Sequence, residues 1–452
     1  MELSGKTVLI VGLGASGLAA ARFAHARGAK VVLNDKAPAE KLPKAVALAA
    51  ETGAELLLGD HPADRFTSAD LIVVSPGVPR LAALVAAEEA GVEIVGEISL
   101  AARFLPGKLV GITGTNGKST VTTLVGEMVA KAGRKSFTGG NLGTPMIEAV
   151  GTPAADADGI VVAELSSFQL ETAADVRCHV AVLLNVTDDH LDRYDSFGDY
   201  AAAKAKIFHA QRKGDVAIVP DGDELCLSLA RVTAGEVLTF GGEKGVVREK
   251  NGRIVDARGG LDLPVSELGI QGGHNVLNAC AAALAARAAG VPTDVIAEVL
   301  RTFKGLKHRM VLVRTLDGIR YFDDSKATNV GATVAALDGF ASAPGKVVLV
   351  AGGVDKGGSY APVRERMERL GRAVVLIGAA APLIRNAFEG SPLPLVDATT
   401  MEDAVAKCRA LAKPGDVVLL APACASFDMF TSYAHRGDVF TEAVRALGEG
   451  GR

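Results

Sequence analysis

The sequence predicts an α/β protein of three domains, each built on a mostly parallel sheet. Short apolar runs rich in Val and Ile alternate with Ala-rich helical stretches almost throughout the chain, which is typical of parallel sheets covered by helices. Two glycine motifs each lie between an apolar run and a helical stretch, as tight strand-to-helix turns do. The 452 residues exceed the roughly 250–300 that one hydrophobic core supports. We therefore expect three domains rather than one.

Three blocks of strands and helices give the expected domain boundaries. The N-terminal domain covers residues 1–99, the central domain residues 100–305 and the C-terminal domain residues 306–452. Residues 232–270 are Gly-spaced and strand-like, which predicts a small antiparallel insert in the central domain. The expected strands are residues 7–11, 30–34, 71–75, 109–113, 159–164, 180–185, 319–323, 346–350, 373–377 and 416–420.

Composition excludes several classes of protein. The 49% hydrophobic and 22% charged residues are typical of a globular chain. Lys and Arg total 48 against 52 Asp and Glu, so no excess of positive charge favours nucleic-acid binding. No apolar run reaches the ~18–20 residues that cross a bilayer, and the N-terminus lacks a signal-peptide pattern, so we expect a cytoplasmic protein without membrane insertion. Five scattered cysteines without a C-x-x-C pair predict packed thiols rather than zinc or disulfides.

The first glycine motif, Gly12-x-Gly14-x-x-Gly17, follows the first strand and precedes an Ala-rich helix. It predicts a Rossmann-like domain, in which the glycines allow a tight turn and bring helix-terminal N–H groups to a diphosphate. Asp35 ends the second strand, where an acid binds the ribose of NAD. UDP fits the same turn, and a purely structural turn is a further alternative. A second loop, Ser75-Pro76-Gly77, is expected at the same carboxyl edge.

The second glycine motif is the phosphate loop, Gly114-Thr115-Asn116-Gly117-Lys118-Ser119-Thr120. It follows an apolar strand and precedes a helix expected over residues 121–130, which predicts a central sheet of the phosphate-loop ATPase type. Its amides can cradle phosphate oxygens, Lys118 can reach the terminal phosphates of ATP, and Ser119 offers a hydroxyl to Mg²⁺. The spacing is irregular, because Ile112 stands where the usual loop has its first Gly. A chance Gly-rich turn is the alternative.

Three polar side chains beyond this loop are candidate ligands of Mg²⁺. Glu164 ends an apparently buried strand, where an unpaired carboxylate would cost several kcal/mol, although it could instead cap the amides that follow. His190 follows another strand at the same sheet edge, where a surface histidine is the alternative. Lys204 lies on the apolar stripe of a helix and Lys206 points outward. A buried lysine with a lowered pKa can react with CO₂ to form a carbamate, whereas a lysine reaching solvent would not.

These residues, in this order, resemble the Mur ligases, and the resemblance extends from the first strand to the C-terminal block. The stretches that carry it are residues 114–120, 164–171 (ELSSFQLE), 185–194 (NVTDDHLDRY), 324–329 (DSKATN) and 423–428 (ACASFD). The resemblance implies a UDP-sugar-binding N-terminal domain, a central ATPase domain and a Rossmann-like C-terminal domain that brings an amino acid. It also implies ATP, two Mg²⁺ ions, a carbamylated Lys204 and a metal site that includes Ser119, Glu164 and His190.

The same resemblance implies positions for the substrates. Around ATP it places Asn275, Asn278, Arg309 and Asp324. Around the incoming amino acid it places Lys326, Thr328, Lys356, Ser426, Phe427 and Tyr433. Around the nucleotide sugar it places Ser16, Asp35, Lys36, Ser75, Gly77 and Asn141.

Within the family, the implied reaction is the ATP-dependent addition of D-glutamate to UDP-N-acetylmuramoyl-L-alanine through an acyl phosphate, by a monomer. Lys118, Lys204, His190 and Glu164 are the expected catalytic residues. Other Mur-type or folylpolyglutamate-type ligases are the nearest alternative. An NAD-dependent dehydrogenase, supported by the first glycine motif alone, and a non-catalytic nucleotide-binding regulator are alternatives from other classes.

Overall fold

The N-terminal sheet of this computed structural model, which describes residues 2–189, 193–270, 272–341 and 343–448, has five parallel strands. They are β1 (Thr7–Val11), β2 (Lys30–Asp35), β3 (Glu55–Leu58), β4 (Leu71–Val74) and β5 (Glu93–Gly96). Their helices are α1 (Ala15–Ala26), α2 (Pro43–Thr52), α3 (Ala63–Thr67), α4 (Ala82–Glu89) and α5 (Glu97–Ala102). In the order β3-β2-β1-β4-β5, the strands β2 and β3 are added on one side of β1, and β4 and β5 are added on the other side. The loops after β1 and β4 therefore border a crevice.

The central sheet has nine strands in the order β14-β13-β12-β11-β10-β9-β6-β8-β7. They are β6 (Lys108–Thr113), β7 (Ser136–Gly140), β8 (Ile160–Glu164), β9 (Val180–Leu183), β10 (Val216–Pro220), β11 (Glu236–Phe240), β12 (Val247–Lys250), β13 (Arg253–Asp256) and β14 (Asp262–Pro264). The helices are α6 (Lys118–Lys131), α7 (Ser167–Leu170), α8 (Phe197–Ala205), α9 (Glu224–Leu229), α10 (Gly273–Ala289) and α11 (Thr293–Thr302). Strand β6 pairs with β8 on one side and β9 on the other, so the loop after β6 lies between the ends of both.

The C-terminal sheet has six strands in the order β15-β16-β20-β17-β18-β19. They are β15 (Val311–Leu316), β16 (Ile319–Asp323), β17 (Val347–Gly352), β18 (Gly371–Ile377), β19 (Leu395–Asp397) and β20 (Val417–Leu420). The helices are α12 (Val330–Asp338), α13 (Ala361–Leu370), α14 (Ala381–Ala387), α15 (Met401–Leu411) and α16 (Tyr433–Ala446). Only β15 runs antiparallel to its neighbour. Alternate residues of β17 enter the hydrophobic cores on its two faces, as a strand covered by helices on both sides requires.

Short 3₁₀ turns connect several of these elements. They are Ala39–Lys41, Met146–Gly151, Pro153–Ala155, Lys206–Phe208, Ala230–Val232 and Val265–Glu267. The chain divides into two compact units. The first comprises Met1–Val186, Ala201–Leu268 and Val276–Thr302, with the N-terminal and central sheets. The second comprises Thr187–Tyr200, Gly269–Asn275 and Phe303–Arg452, with the C-terminal sheet.

Three domains of mostly parallel sheet confirm the fold class expected from the sequence. The expected set of strands omitted β3, β5, β7, β15 and β19, each of which lies at the edge of its sheet, and also β10, which lies between β9 and β11. The antiparallel insert is confirmed for β12, β13 and β14, whereas β11 runs parallel to β10. Helix α6 begins at Lys118, three residues earlier than expected. No helix among the residues that the structure describes is long and apolar enough to cross a membrane.

Candidate active site

The N-terminal cleft is a cavity of about 490 Å³ at the carboxyl edge of the first sheet, bordered by the loops after β1 to β4. Gly17, in the first turn of α1, packs directly against these loops. A Cβ at this position would lie 2.0 Å from the Gly12 carbonyl oxygen and 2.6 Å from Ser75 Oγ. Ser75 Oγ donates a hydrogen bond to the same carbonyl oxygen at 2.6 Å. The glycine turn and the loop after β4 therefore form one rigid wall of the cleft.

The residues expected around the nucleotide sugar divide into two sets. Those that line the cleft are Asp35, Lys36, Ser75 and Gly77. The Asp35 carboxylate accepts hydrogen bonds from Leu13 N at 2.8 Å and Ala37 N at 2.9 Å, so backbone amides stabilise its charge. Ser16 lies half-buried in the first turn of α1 and Asn141 follows β7.

The cleft also contains a histidine that was not among the expected site residues. His61 lines the cavity, and its Nδ1 lies 2.7 Å from Oδ1 of the fully buried Asn34. The Asn34 amide nitrogen in turn donates to the carbonyl oxygens of Leu57 and Asp60, each at 2.8 Å. His61 follows β3, and it was missed because that edge strand was itself not expected from the sequence.

The phosphate loop follows β6 and is held in shape by Asn185, which follows β9. Thr115 N donates to the Asn185 carbonyl oxygen at 2.9 Å, and Asn116 N donates to Asn185 Oδ1 at 2.8 Å. Gly117 has a left-handed backbone with φ of 85°. A Cβ at this position would lie 2.5 Å from Asn278 Oδ1. The sequence therefore needs glycine here both for the turn and for the approach of α10.

Two lysine side chains converge on the carbonyl groups of this loop. Lys118 Nζ donates to the carbonyl oxygens of Gly114 and Thr115, both at 2.9 Å. Lys204 Nζ donates to the Gly114 carbonyl oxygen at 2.9 Å and is only 1% exposed. Burial of an ammonium group costs several kcal/mol unless polar partners compensate it. The buried position of its amine shows that Lys204 points inward, as expected. Lys206 is half-buried and donates to the Glu171 carbonyl oxygen at 2.8 Å.

Glu164 is placed at the end of β8, beside the phosphate loop, and is 3% exposed. Its Oε1 accepts a hydrogen bond from Asn141 Nδ2 at 2.6 Å. Its Oε2 is buried and accepts no hydrogen bond from the residues that the structure describes. The alternative of a local cap does not hold, because Ser166 N donates to Gln169 Oε1 instead. A buried carboxylate oxygen of this kind fits a cation.

The structure describes some of the other expected metal ligands but not all of them. Ser119 is buried in the first turn of α6, and Thr120 beside it is buried as well. His190 lies outside the described residues. Within the described part of the chain, no cluster of three or more His, Cys, Asp or Glu has the geometry to hold a metal ion.

In the second unit, Asp324 is a buried acid that directly follows β16. Burial raises the pKa of Asp324 to about 6, and the positive charge of Arg309 opposes this shift. His274, in the same unit, has a pKa lowered to about 4 by burial and by Arg309. Asn275 is 7% exposed. Arg309 thus interacts electrostatically with both of these titratable groups.

The residues expected around the amino acid surround the ends of β16, β17 and β20. Lys326 Nζ donates to the Tyr433 hydroxyl at 3.2 Å and lies 4.7 Å from its ring centroid. Lys356 Nζ lies 3.5 Å from Asp189 Oδ1, and Asn329 Nδ2 donates to Asp189 Oδ2 at 2.9 Å. Asp189, Asn329 and Lys356 also line a cavity of about 240 Å³. Asp189 and Asn329 were not among the expected site residues.

Three further expected residues differ in exposure. Thr328 is half-buried, Ser426 is 2% exposed and Phe427 is 75% exposed. The exposed Phe427 ring thus directly follows the buried Ser426.

Arg436, on α16, fastens two loops of this region together. Its Nε donates a hydrogen bond to Ser325 Oγ at 2.9 Å. The two other guanidinium nitrogens donate to the Ser325 carbonyl oxygen at 2.9 Å and to the Cys424 carbonyl oxygen at 3.1 Å. The side chain is fully buried, and burial lowers the pKa of Arg436 to about 10. No motif signals this residue, because its partners lie 12 and 111 positions away in the sequence.

A glycine-rich loop between a central parallel strand and a helix, with lysine amines on its carbonyl groups, defines an α/β protein of the phosphate-loop type. Family models match most of the chain: the Mur ligase MurD-like N-terminal domain over residues 6–96, the Mur ligase middle domain over residues 112–286, and the Mur ligase glutamate ligase domain over residues 308–424. The chain belongs to the Mur ligase family.

Relatives match over the full length. The UDP-N-acetylmuramoylalanine–D-glutamate ligase of Desulfosudis oleivorans is 45% identical, covering 100% of this chain and 98% of the relative. The ligase of the same name from Koribacter versatilis is 42% identical, covering 99% of both chains. Among solved structures, the UDP-N-acetylmuramate-alanine ligase MurC of Thermotoga maritima has a TM-score of 0.61 at 20% identity, covering 98% of this chain and 99% of that one. This last similarity concerns the fold.

Proposed function

We propose that the protein adds D-glutamate to UDP-N-acetylmuramoyl-L-alanine, with hydrolysis of ATP to ADP and phosphate, in the synthesis of peptidoglycan precursors. The observation that carries this proposal is the 45% identity over the whole chain to a relative named as a D-glutamate ligase. The monomeric state and the cytoplasmic location expected from the sequence stay predictions.

The three domains take different substrates in this proposal. Residues 1–99 bind the UDP-sugar in the N-terminal cleft, residues 100–305 bind ATP at the phosphate loop, and residues 306–452 bind D-glutamate. Four cleft residues support the first assignment: Asp35, Lys36, Ser75 and Gly77. For D-glutamate, we propose contacts with Lys326, Thr328, Lys356, Ser426, Phe427 and Tyr433. Ammonium and hydroxyl groups suit its two carboxylates.

Mg²⁺ is proposed at the carboxyl edge of the central sheet, with Glu164, Ser119, His190 and a carbamate on Lys204 as ligands. Support comes from Glu164 Oε2, a buried oxygen with no hydrogen bond from the described residues, and from the buried amine of Lys204. When bound, the ions supply screening of the charge on the phosphates and the attacking carboxylate.

The protein's own groups position the reactants. We propose that Lys118 leaves the loop carbonyls for the γ-phosphate, while the loop amides bind the remaining phosphate oxygens. Asn278, which contacts Gly117, and Asn275, Arg309 and Asp324 are proposed to surround the rest of ATP. The substrate carboxylate attacks the γ-phosphorus and ADP leaves. The amine of D-glutamate then attacks the resulting acyl phosphate, releasing phosphate and forming the amide.

The direct test is phosphate release from ATP in the presence of UDP-N-acetylmuramoyl-L-alanine and one amino acid at a time. D-Glutamate should give the fastest release by far, with L-alanine, L-glutamate and diamino acids near background. Faster release with another amino acid would assign a different Mur-type reaction. ATP binding without any release would instead support a regulator.

The carbamate is tested by Lys204→Ala, with Lys206→Ala as a neighbouring control. Because Lys204 is 1% exposed and contacts the loop, the first variant should lose turnover by a factor of at least about 1000, the range expected for loss of a catalytic electrostatic group. Acetate or formate should restore part of the activity, and the control should retain turnover. Full activity in Lys204→Ala would remove the carbamate from the mechanism.

A further inference from the structure

A second cavity of the first unit lies at the opposite edge of the central sheet from the phosphate loop. It has a volume of about 290 Å³, and we call it the basic pocket, after the lining residues Arg103, Lys108, Arg177, His179 and Arg212. Lys108 begins β6, whereas the phosphate loop follows the last residue of that strand. At roughly 3.3 Å per residue, the two sites are separated by the length of the strand, about 17 Å. The basic pocket is therefore distinct from the ATP site.

Two of the pocket's cations have carboxylate partners. Arg177 makes two hydrogen bonds to Asp215, both at 2.8 Å. Arg103 pairs with Glu93 at 2.7 Å and with Asp175 at 3.6 Å. These ion pairs stabilise the walls of the pocket, and the charges of Arg177 and Arg103 are already paired with carboxylates.

The other two cations are available to a ligand. Lys108 Nζ and the Arg212 guanidinium form no ion pair with any residue that the structure describes, and both side chains reach the exposed rim. Arginine is well suited to phosphate because its planar fork can donate two parallel hydrogen bonds. A positive potential in a concave pocket concentrates anions there.

His179 adds a donor of defined direction. Its Nδ1 lies 3.1 Å from Leu109 N, and a backbone N–H can only donate, so Nδ1 is the acceptor and Nε2 carries the proton. Burial lowers the pKa of His179, and the charges of Arg177, Lys108 and Arg212 lower it further, while the charge of Asp215 opposes the shift. The ring is therefore neutral at pH 7 and presents an N–H rather than a lone pair to the pocket.

We propose that the basic pocket binds the phosphoryl group of a small molecule, through Lys108, Arg212 and His179 Nε2–H. Three separate donors match the three terminal oxygens of a phosphoryl group better than the two of a carboxylate. The volume admits inorganic phosphate or a small phosphomonoester. The three residues that would hold it lie at the start of β6 (Lys108), just before β9 (His179) and before β10 (Arg212).

The test measures binding of inorganic phosphate, and separately of glycerol 3-phosphate, by equilibrium dialysis against the full chain with saturating AMPPNP to occupy the phosphate loop. We expect one site, and the tighter of the two probes identifies the source of the phosphoryl group. Lys108→Gln/Arg212→Gln should weaken binding at least tenfold, while Lys213→Gln, an exposed neighbour outside the pocket, should not change it.

Both altered side chains are exposed and lie at the opposite edge of the sheet from the phosphate loop, so the double variant should retain wild-type turnover and an unchanged urea midpoint. The proposal is overturned if the wild type binds neither probe alongside AMPPNP, or if the double variant binds as tightly as the wild type. A wild type without ligase activity would contradict the reaction proposed above and would leave the test of the basic pocket unchanged.

Discussion

The pH dependence of stability of the first unit should be controlled by one buried acid, Glu97. This residue begins α5 and is 1% exposed. Its Oε1 accepts a hydrogen bond from Ile147 N at 2.6 Å, but its Oε2 has no hydrogen-bond partner among the described residues. Burial raises the pKa of Glu97 from 4.5 to about 7, and repulsion from Glu148 adds to this shift.

The raised pKa has a definite sign for stability. Below about pH 4.5 the carboxyl group is protonated in both the folded and the unfolded chain, so its contribution to stability is fully present. Between pH 4.5 and 7 the unfolded chain releases the proton and the folded chain keeps it, so the free energy of unfolding falls as pH rises. At about 1.4 kcal/mol per pH unit, the difference between 4.5 and about 7 amounts to about 3 kcal/mol.

Glu97→Gln isolates this contribution, because the amide keeps an oxygen for Ile147 N and cannot ionise. Since the chain has no Trp, urea unfolding is followed by far-UV circular dichroism at several pH values from 5 to 8.5. We expect the variant to match the wild type within about 1 kcal/mol at pH 5 and to exceed it by about 3 kcal/mol at pH 8.5.

Glu148→Gln provides a second check on the same cause. It removes the neighbouring negative charge while leaving Glu97 ionisable, so it should lower the pKa of Glu97 in the folded chain. The decline in stability should then end at a lower pH, with a smaller total loss at pH 8.5. A Glu97→Gln variant that retains the wild-type slope between pH 5 and 8.5 would refute the assignment to Glu97.

Two further substitutions test the loops. Gly117→Ala should weaken ATP binding about tenfold or more in calorimetry, because the added Cβ would meet Asn278 and the backbone φ is 85°. The control is Gly133→Ala, where φ is 73° and the Cβ would meet open space, so ATP affinity should be unchanged. Equal losses in both variants would exclude the contact with Asn278 as the cause. Arg436→Leu should destabilise the second unit by about 3 kcal/mol in urea unfolding, because it leaves buried acceptors such as the Ser325 carbonyl without donors, and a loss below about 1 kcal/mol would contradict this role.

The inward direction of Lys204 could be predicted from the sequence because a local rule determines it. Tyr200, Lys204 and Phe208 recur at four-residue spacing, and all three are at most 1% exposed. Two of the missed edge strands are short: β3 has three leucines in a row and is only half-buried, and β19 has three residues. Neither reaches the roughly four to eight consecutive apolar residues by which a buried strand is recognised.

Residues whose environment is made by distant parts of the chain left no such pattern. The burial of Glu97 depends on Ile147, fifty positions later, and Arg436 reaches Ser325 across 111 positions. Either residue reads as an ordinary surface charge in its own segment. Their roles follow only once the backbone fold has brought hydrogen-bond partners to them, which is why the sequence pointed to the glycine loops and not to the side chains that hold other loops.

The topology explains why the candidate site residues collect where they do. In an open parallel sheet, a crevice forms at the carboxyl ends of strands where connections leave in opposite directions. The N-terminal cleft lies between the loops after β1 and β4, and the phosphate loop follows β6, between the ends of β8 and β9. Asp324 and Lys326 follow β16, next to the end of β20. One rule of strand order thus positions all three sets of polar residues, and the identity of each ligand depends on the side chains that each crevice carries.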